Sequence, residues 1–340
     1  MAAGIAQLCV QNGIATVLVD GSLEALGRAE TAILRGLQRA EQPGSFSLLR
    51  KSTELASFRG CDTVIEVSSE SIESRKDILR KLDALLSQDV LVVAATEVLP
   101  IEYFASGVEN PERLIGMRFF HPAPVARLIE VIRAERSSAQ TFAAARQLCE
   151  RLGKTAVDSK DSPGFIVARL SRVFYHASMR LLEQGRGTPA TVDEAVRSRA
   201  GLRFGPLELL DAFGLEEELA TSAALYDLRG RPERLKPCAV HEKLLARGCR
   251  GRKNSRGFYV YGENPPGTVN SVLSEIISGF SARPAGSEEV FRIVIDAVVS
   301  EARALAQESI ASVADVDTAV KLGMGWPMGP FEWDRALRGT

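Results

Sequence analysis

Three short apolar runs set between amphipathic stretches restrict the first half of this chain to one kind of architecture. Ala15-Thr16-Val17-Leu18-Val19-Asp20, Thr63-Val64-Ile65-Glu66-Val67 and Val90-Leu91-Val92-Val93-Ala94-Ala95 read as buried strands. Between them, residues 23–38 and 72–86 have helical spacing. In the second stretch Ile72, Ile78, Leu79, Leu82, Leu85 and Leu86 share one face, with charges on the other. Strand–helix–strand alternation with nearly continuous apolar strands predicts a parallel sheet covered on both faces, an α/β class. The 340 residues leave room for two or three domains, and 45% hydrophobic with 25% charged content supplies ample core.

The second half changes character. After Asp161-Ser162-Pro163-Gly164, where Pro and Gly punctuate the chain, residues 165–184 have helical spacing, and most of the chain beyond them is helix broken by Gly and Pro. An internal repeat lies here. Val192-Asp193-Glu194-Ala195-Val196, Gly201 and Gly205-Pro206-Leu207-Glu208 recur as Val316-Asp317-Thr318-Ala319-Val320, Gly325 and Gly329-Pro330-Phe331-Glu332, each 124 positions later. A long helical stretch precedes each copy, from Phe165 and from Glu289. Two copies of one small helical domain are expected. The domain reading is 1–160 for the α/β part, 161–262 for the first helical copy and 285–340 for a second, incomplete one.

Charge and cysteines narrow the class. A net charge of −1 and a pI near 6.4 give no electrostatic footprint for nucleic acid or a membrane surface. No apolar run approaches the ~20 residues that cross a bilayer, and the start, Met1-Ala2-Ala3-Gly4-Ile5-Ala6, lacks the basic and apolar regions of a secretory signal. The five cysteines, Cys9, Cys61, Cys149, Cys238 and Cys249, contain no CxxC pair. That argues against a disulfide framework or zinc ribbon and fits a reducing compartment, the cytoplasm. No metal site is expected.

A nucleotide-binding α/β unit needs a strand, a glycine-rich turn, a helix whose N-terminus faces the pyrophosphate, and an acid ending the second strand. The helix (3–11) and the acid, Asp20, are present; the first strand and first glycines are not. By itself Asp20 reads equally well as a strand-end turn residue.

Longer motifs carry more. Met1-Ala2-Ala3-Gly4-Ile5-Ala6, Val64-Ile65-Glu66-Val67-Ser68-Ser69-Glu70, Arg118-Phe119-Phe120-His121-Pro122-Ala123-Pro124-Val125-Ala126-Arg127-Leu128-Ile129-Glu130, Asp161-Ser162-Pro163-Gly164-Phe165-Ile166-Val167, Gly205-Pro206-Leu207-Glu208-Leu209 and Gly251-Arg252-Lys253-Asn254-Ser255-Arg256-Gly257-Phe258-Tyr259 run in that order along the whole chain. Together they resemble the 3-hydroxyacyl-CoA dehydrogenase family. The resemblance implies a Rossmann-type dinucleotide-binding domain followed by all-α domains like the C-terminal part of 6-phosphogluconate dehydrogenase. It implies NAD as cofactor, a short-chain acyl-CoA thioester as ligand, and a place in fatty-acid β-oxidation chemistry. Members pair through the helical domains, so a homodimer or internally paired tandem copies are expected. For the cofactor it implies Ala2 and Gly4 at the phosphate turn, Asp20 at the adenosine ribose, Glu70 near the nicotinamide and Arg75 where a lysine contact usually occurs. Arg75 also reads as a solvated helix charge.

The family oxidises a 3-hydroxyl with a histidine base oriented by a glutamate, while a serine and an asparagine contact the substrate oxygen and that histidine. On this chain the histidine position matches Arg118, the glutamate Glu130, the serine Glu97 and the asparagine Ala168. Three of the four have changed. Arginine is not deprotonated in proteins, so Arg118 beside Glu130 is expected to form an ion pair, and the family mechanism does not run unchanged. His121 lies three residues on, toward the opposite face of an extended strand, unless Pro122 turns the chain. Glu97 would serve as base only with a raised pKa. The resemblance therefore implies an NAD-dependent 3-hydroxyacyl-CoA dehydrogenase that oxidises short-chain 3-hydroxyacyl-CoA to 3-oxoacyl-CoA, with a non-catalytic CoA-thioester or dinucleotide-binding scaffold homologue as the alternative and an enzyme with its base relocated to His121 or Glu97 as a third. The Gly257-Phe258-Tyr259 end of its motif reads as structural, and Trp326 and Trp333 as core. Without a first strand the sheet would carry two unpaired edges, so the natural chain is expected to start upstream of Met1, and the second helical copy to continue beyond Thr340.

Overall fold

The apolar runs become strands, each a residue or two shorter than its hydrophobic pattern. The computed structural model describes residues 1–68, 71–262 and 267–339, in two units, Met1–Phe165 and Ile166–Thr340. The first unit runs α1 (Ala2–Gln11), β1 (Thr16–Val19), α2 (Leu23–Arg39), β2 (Leu49–Ser52), β3 (Thr63–Glu66), α3 (Ile72–Leu85), β4 (Leu91–Ala95), α4 (Glu102–Ala105), β5 (Leu114–Phe119), β6 (Leu128–Arg133), α5 (Ala139–Arg151) and β7 (Thr155–Lys160). Serines start three of these helices: Ser22, Ser71 and Ser138 each accept a first-turn backbone N–H, which satisfies a donor that the helix itself leaves unmatched.

The strands form two ladders. β1 pairs with β2 in parallel, and β3-β4-β5-β6-β7 form a five-stranded sheet. Every pair in it is parallel except β5–β6, which is antiparallel. This departs from the purely parallel sheet expected, and the connection 120–127 explains it: it is too short to hold a crossover, so the chain turns back on itself. β1 and β3 each pair with one strand among the described residues.

Alternation along β4 divides the core. Leu91 and Val93 join Ile5, Leu8, Ala145 and Leu148 of α1 and α5 on one face; Val92 and Ala94 join Leu79, Leu82 and Phe104 of α3 and α4 on the other. A smaller cluster of Ala6, Val10, Ile33 and Leu37 ties α1 to α2.

The second unit is helical: α6 (Val167–Glu183), α7 (Pro189–Ala200), α8 (Pro206–Phe213), α9 (Leu215–Leu228), α10 (Ala239–Ala246), a short antiparallel pair β8 (Tyr259–Val260) and β9 (Thr268–Val269), α11 (Val272–Ile276), α12 (Ser287–Gln307), α13 (Val313–Gly323) and α14 (Pro330–Arg338). The repeated motifs fall on helices that keep the 124-residue spacing. α6, α7 and α8 correspond to α12, α13 and α14, and α12 lies along α6 and α7.

Each copy closes on the same polar clasp. Asp193 Oδ1 accepts the Leu207 N–H at 2.8 Å, and Asp317 Oδ1 accepts the Phe331 N–H at 2.8 Å. Glu208 and Glu332 accept the N–H of Gly205 and Gly329 at 2.9 and 2.8 Å. Arg197 and Lys321 neutralise those glutamates. The glycines are required by close approach: a Cβ on Gly205 or Gly329 would overlap the aspartate side chain. Between the copies, buried Arg169 of α6 reaches Glu301 (Nε–Oε1 2.7 Å) and Glu308, and Glu308 also binds Arg229.

Candidate active site

The residues at the implied reaction centre come from three consecutive sheet elements. β4 ends at Ala95 and the chain turns sharply. Thr96 Oγ1 donates to the Leu99 carbonyl at 3.0 Å and accepts the Leu99 N–H at 3.2 Å, which leaves Glu97 at the apex. β5 carries Arg118 and β6 carries Glu130, and the antiparallel register sets these two directly opposite. The hairpin that broke the parallel pattern thus creates the pair.

Arg118 Nη1 lies 3.6 Å from Glu130 Oε2, and its Nη2 lies 3.5 Å from Glu97 Oε1. Its guanidinium carbon sits 4.7 Å over the Phe120 ring. Phe120 follows Arg118 by two residues and so shares its face, a signal present in the sequence and overlooked. Glu130 is fully buried, Arg118 is 8% exposed, and the Glu97 side chain is 61% exposed. Arg118 Nη1 has no hydrogen-bond partner among the described residues. The group at the centre is a permanent donor, with two carboxylates beside it and no proton acceptor of its own.

His121 follows the strand in an exposed position before the turn. Ala168 is buried in α6 of the second unit. Glu70 lies outside the described residues. Arg75 is only 5% exposed: Nε donates to Glu66 Oε2 at 3.0 Å, Nη2 donates to the Ala95 carbonyl at 2.7 Å, and the group lies 4.3 Å over Phe104. It is not a solvated helix charge; its guanidinium joins β3, α3 and the end of β4.

The dinucleotide end can be tested against the implied cofactor. α1 begins without a side-chain cap and without an acidic residue in its first turn, so its positive end is open to an anion. Gly4 faces the turn after β5, where an added Cβ would sit 3.5 Å from Ala123 Cβ. Asp20 ends β1 exposed, with Oδ1 accepting the Ser22 N–H at 2.9 Å. An open helix N-terminus and an exposed strand-end carboxylate suit a pyrophosphate and ribose hydroxyls.

Two supports were not foreseen. Lys154 Nζ donates to the carbonyls of Pro124 and Ala126 at 3.1 and 2.7 Å, pinning the turn between β5 and β6, and burial lowers its pKa from the ordinary lysine value. Asp161 accepts the N–H groups of Ile101 and Glu102 at 2.8 and 2.9 Å and caps α4, while Gly164 N–H donates to Val98 O at 3.0 Å. The Asp-Ser-Pro-Gly motif therefore braces the turn that carries Glu97.

In the second unit a cavity of about 570 Å³ is lined by Thr191, Asp193, Arg197, Glu208 and Tyr259. Asp193, Arg197 and Glu208 in its wall belong to the clasp. The Gly257-Phe258-Tyr259 motif is structural, as expected. Asp211 of α8 accepts the N–H groups of Phe258 and Tyr259 at 2.9 and 3.0 Å, and Tyr259 Oη donates to Asp193 at 2.7 Å. Trp326 is buried edge-on to Phe174, and Trp333 is edge-on to Phe291.

Known proteins agree with this architecture. Residues 1–162 match the 3-hydroxyacyl-CoA dehydrogenase NAD binding domain, and residues 164–261 and 290–337 match the C-terminal domain of the same family. The chain is 27% identical to 3-hydroxyadipyl-CoA dehydrogenase of Escherichia coli K12, covering 99% of this chain and 89% of that one. It is 31% identical to mitochondrial hydroxyacyl-coenzyme A dehydrogenase of Mus musculus, over 77% of this chain and 88% of the relative. The crystal structure of 3-hydroxybutyryl-CoA dehydrogenase from Escherichia coli K12 superposes with a TM-score of 0.88 at 26% identity, covering 99% of this chain and 89% of that chain. No helix among the described residues is long and apolar enough to cross a membrane. With both family domains matched in order, an NAD-binding domain and the helical C-terminal domain, the chain belongs to the 3-hydroxyacyl-CoA dehydrogenase family.

Proposed function

We propose that this protein binds NAD and a short-chain 3-hydroxyacyl-CoA-type thioester as its family does, in a site that no longer supports the family's base catalysis. The observation that carries this reading is Arg118, held in the β5–β6 ladder opposite Glu130 and within ion-pair reach of Glu97. A base must accept a proton near neutral pH; a guanidinium does not. NAD, when bound, supplies a hydride acceptor. In this reading the open α1 N-terminus with Ala2 and Gly4 takes the pyrophosphate, and Asp20 takes the adenosine ribose. Glu70, outside the described residues, keeps its proposed place near the nicotinamide. Arg75 holds the sheet edge through Glu66 rather than reaching for a ligand.

One observation favours a second reading. Glu97 is an exposed carboxylate 3.5 Å from Arg118 Nη2; as a relocated base it would pass the hydroxyl proton to solvent while Arg118 faced the developing alkoxide. Steady-state NADH formation from 3-hydroxybutyryl-CoA separates the two. We expect none above background, with NADH binding intact by calorimetry. Turnover abolished by Glu97→Gln would establish the relocated base and end the non-catalytic reading.

The tandem copies, with α12 along α6 and α7, support internal pairing in place of a homodimer; light scattering at a monomer mass is expected. Five cysteines without a disulfide, four of them buried, support a cytoplasmic setting.

A further inference from the structure

The Arg118 guanidinium is a buried donor whose hydrogen bonds are not used up. Nη1 has no hydrogen-bond partner among the described residues, since Glu130 Oε2 stands at ion-pair rather than hydrogen-bond distance, and Nη2 reaches Glu97 only at 3.5 Å. Leaving a buried cationic donor unmatched is costly unless a ligand completes it. The Phe120 ring covers one face of the guanidinium plane, so a ligand atom meets the N–H edge.

Charge and valence narrow what that atom is. Glu130, buried and opposite in the ladder, already compensates the positive charge, so the edge calls for a lone pair more than a full anion. A carbonyl oxygen offers two lone pairs and no proton. A hydroxyl brings a proton that needs an acceptor, and the exposed carboxylate that ion-pairs with Arg118 among the described residues, Glu97, is drawn to the same guanidinium and to water. We propose that Arg118 donates to the C3 oxygen of a bound 3-oxoacyl thioester and makes this site select the oxidised acyl chain over the reduced one. The proposal rests on the thioester reading above, which brings carbon 3 of the acyl chain to this position.

Calorimetry of the full chain with acetoacetyl-CoA, 3-hydroxybutyryl-CoA and butyryl-CoA, in the presence of NADH, tests it. A hydrogen bond to a charged donor corresponds to about a tenfold preference or more. Acetoacetyl-CoA is expected to bind about tenfold tighter than butyryl-CoA, with 3-hydroxybutyryl-CoA between them, and Arg118→Met should reduce the spread to within about twofold. Because Arg118→Met leaves Glu130 buried without its cation, Arg118→Met/Glu130→Gln and Arg118→Lys are measured beside it, with NADH affinity as the folding control. Equal binding of all three thioesters to the wild type overturns the proposal and leaves the thioester reading standing. So does tighter binding of the hydroxy compound, or a preference that survives every Arg118 variant. Binding of NADH with no thioester bound at all removes the underlying reading, and the proposal with it.

Discussion

The polar cluster around Arg118 and the clasp around Asp193 are built on opposite principles. Asp193 is almost fully buried and fully matched: two backbone N–H groups and the Tyr259 hydroxyl converge on one carboxylate. Arg118 is nearly as buried, yet its donors face carboxylates at 3.5 and 3.6 Å, and one nitrogen has no hydrogen bond among the described residues. The core of the clasp, an aspartate and a glutamate accepting helix-start N–H groups, occurs twice because each copy needs it to start α8 or α14, while the first copy alone adds the Tyr259 hydroxyl among the described residues. Matched polar groups in a core specify a fold; an underused donor in a site specifies a ligand.

The largest change expected from breaking this contrast is chemical. Restoring the family pattern with Arg118→His, Glu97→Ser and Ala168→Asn together should raise NADH formation from 3-hydroxybutyryl-CoA by about 10²-fold or more, the usual worth of general base catalysis. Unchanged turnover in a variant that still binds NADH would show that these three positions do not limit turnover.

Stability comes next. Asp193→Ala orphans three donors and should cost about 3 kcal/mol by denaturant unfolding, whereas Asp317→Ala, which orphans the Phe331 N–H, should cost about 1 kcal/mol. Equal costs would mean that the Tyr259 segment adds nothing to the first copy. Within the first unit, Arg75→Met leaves the Glu66 carboxylate buried without its cation and should destabilise by about 3 kcal/mol. An Arg75 that contacted only a ligand would instead lower NADH affinity at unchanged stability.

The last contrast is a pH dependence of the helical unit. Burial, with Arg172 nearby, lowers His176 to about 3, and burial lowers His241 to about 4. Both folded values lie below the unfolded value of about 6.5, so their contribution is complete above pH 6.5 and lost as pH falls toward 3–4. Buried Asp193 and Asp211 oppose this. Raised to about 7 and about 6 by burial, they favour the folded state at low pH and lose that contribution as pH rises through those values. His176→Asn should therefore gain stability relative to wild type between pH 6.5 and 4, read as a shift in Tm difference; a constant difference would show that His176 does not titrate with unfolding.

Much of this molecule was legible in the order of residues. Hydrophobic period alone located β1, β3 and β4 with α2 and α3, since a buried strand and an amphipathic helix leave different spacings. The 124-residue register placed α13 and α14 against α7 and α8 because a clasp of Asp, Gly and Glu must repeat as a set to work. The motifs named Arg118, Glu97 and Glu130 and implied that they belong together. Tertiary structure decided what each does there. Register across an antiparallel pair put Glu130 opposite Arg118, and the short connection 120–127 made that pair antiparallel. Arg75 read as a solvated helix charge or a cofactor contact, and only the fold shows it buried on Glu66. Burial and hydrogen-bond distance depend on which distant segments meet, and local sequence carries no record of a distance.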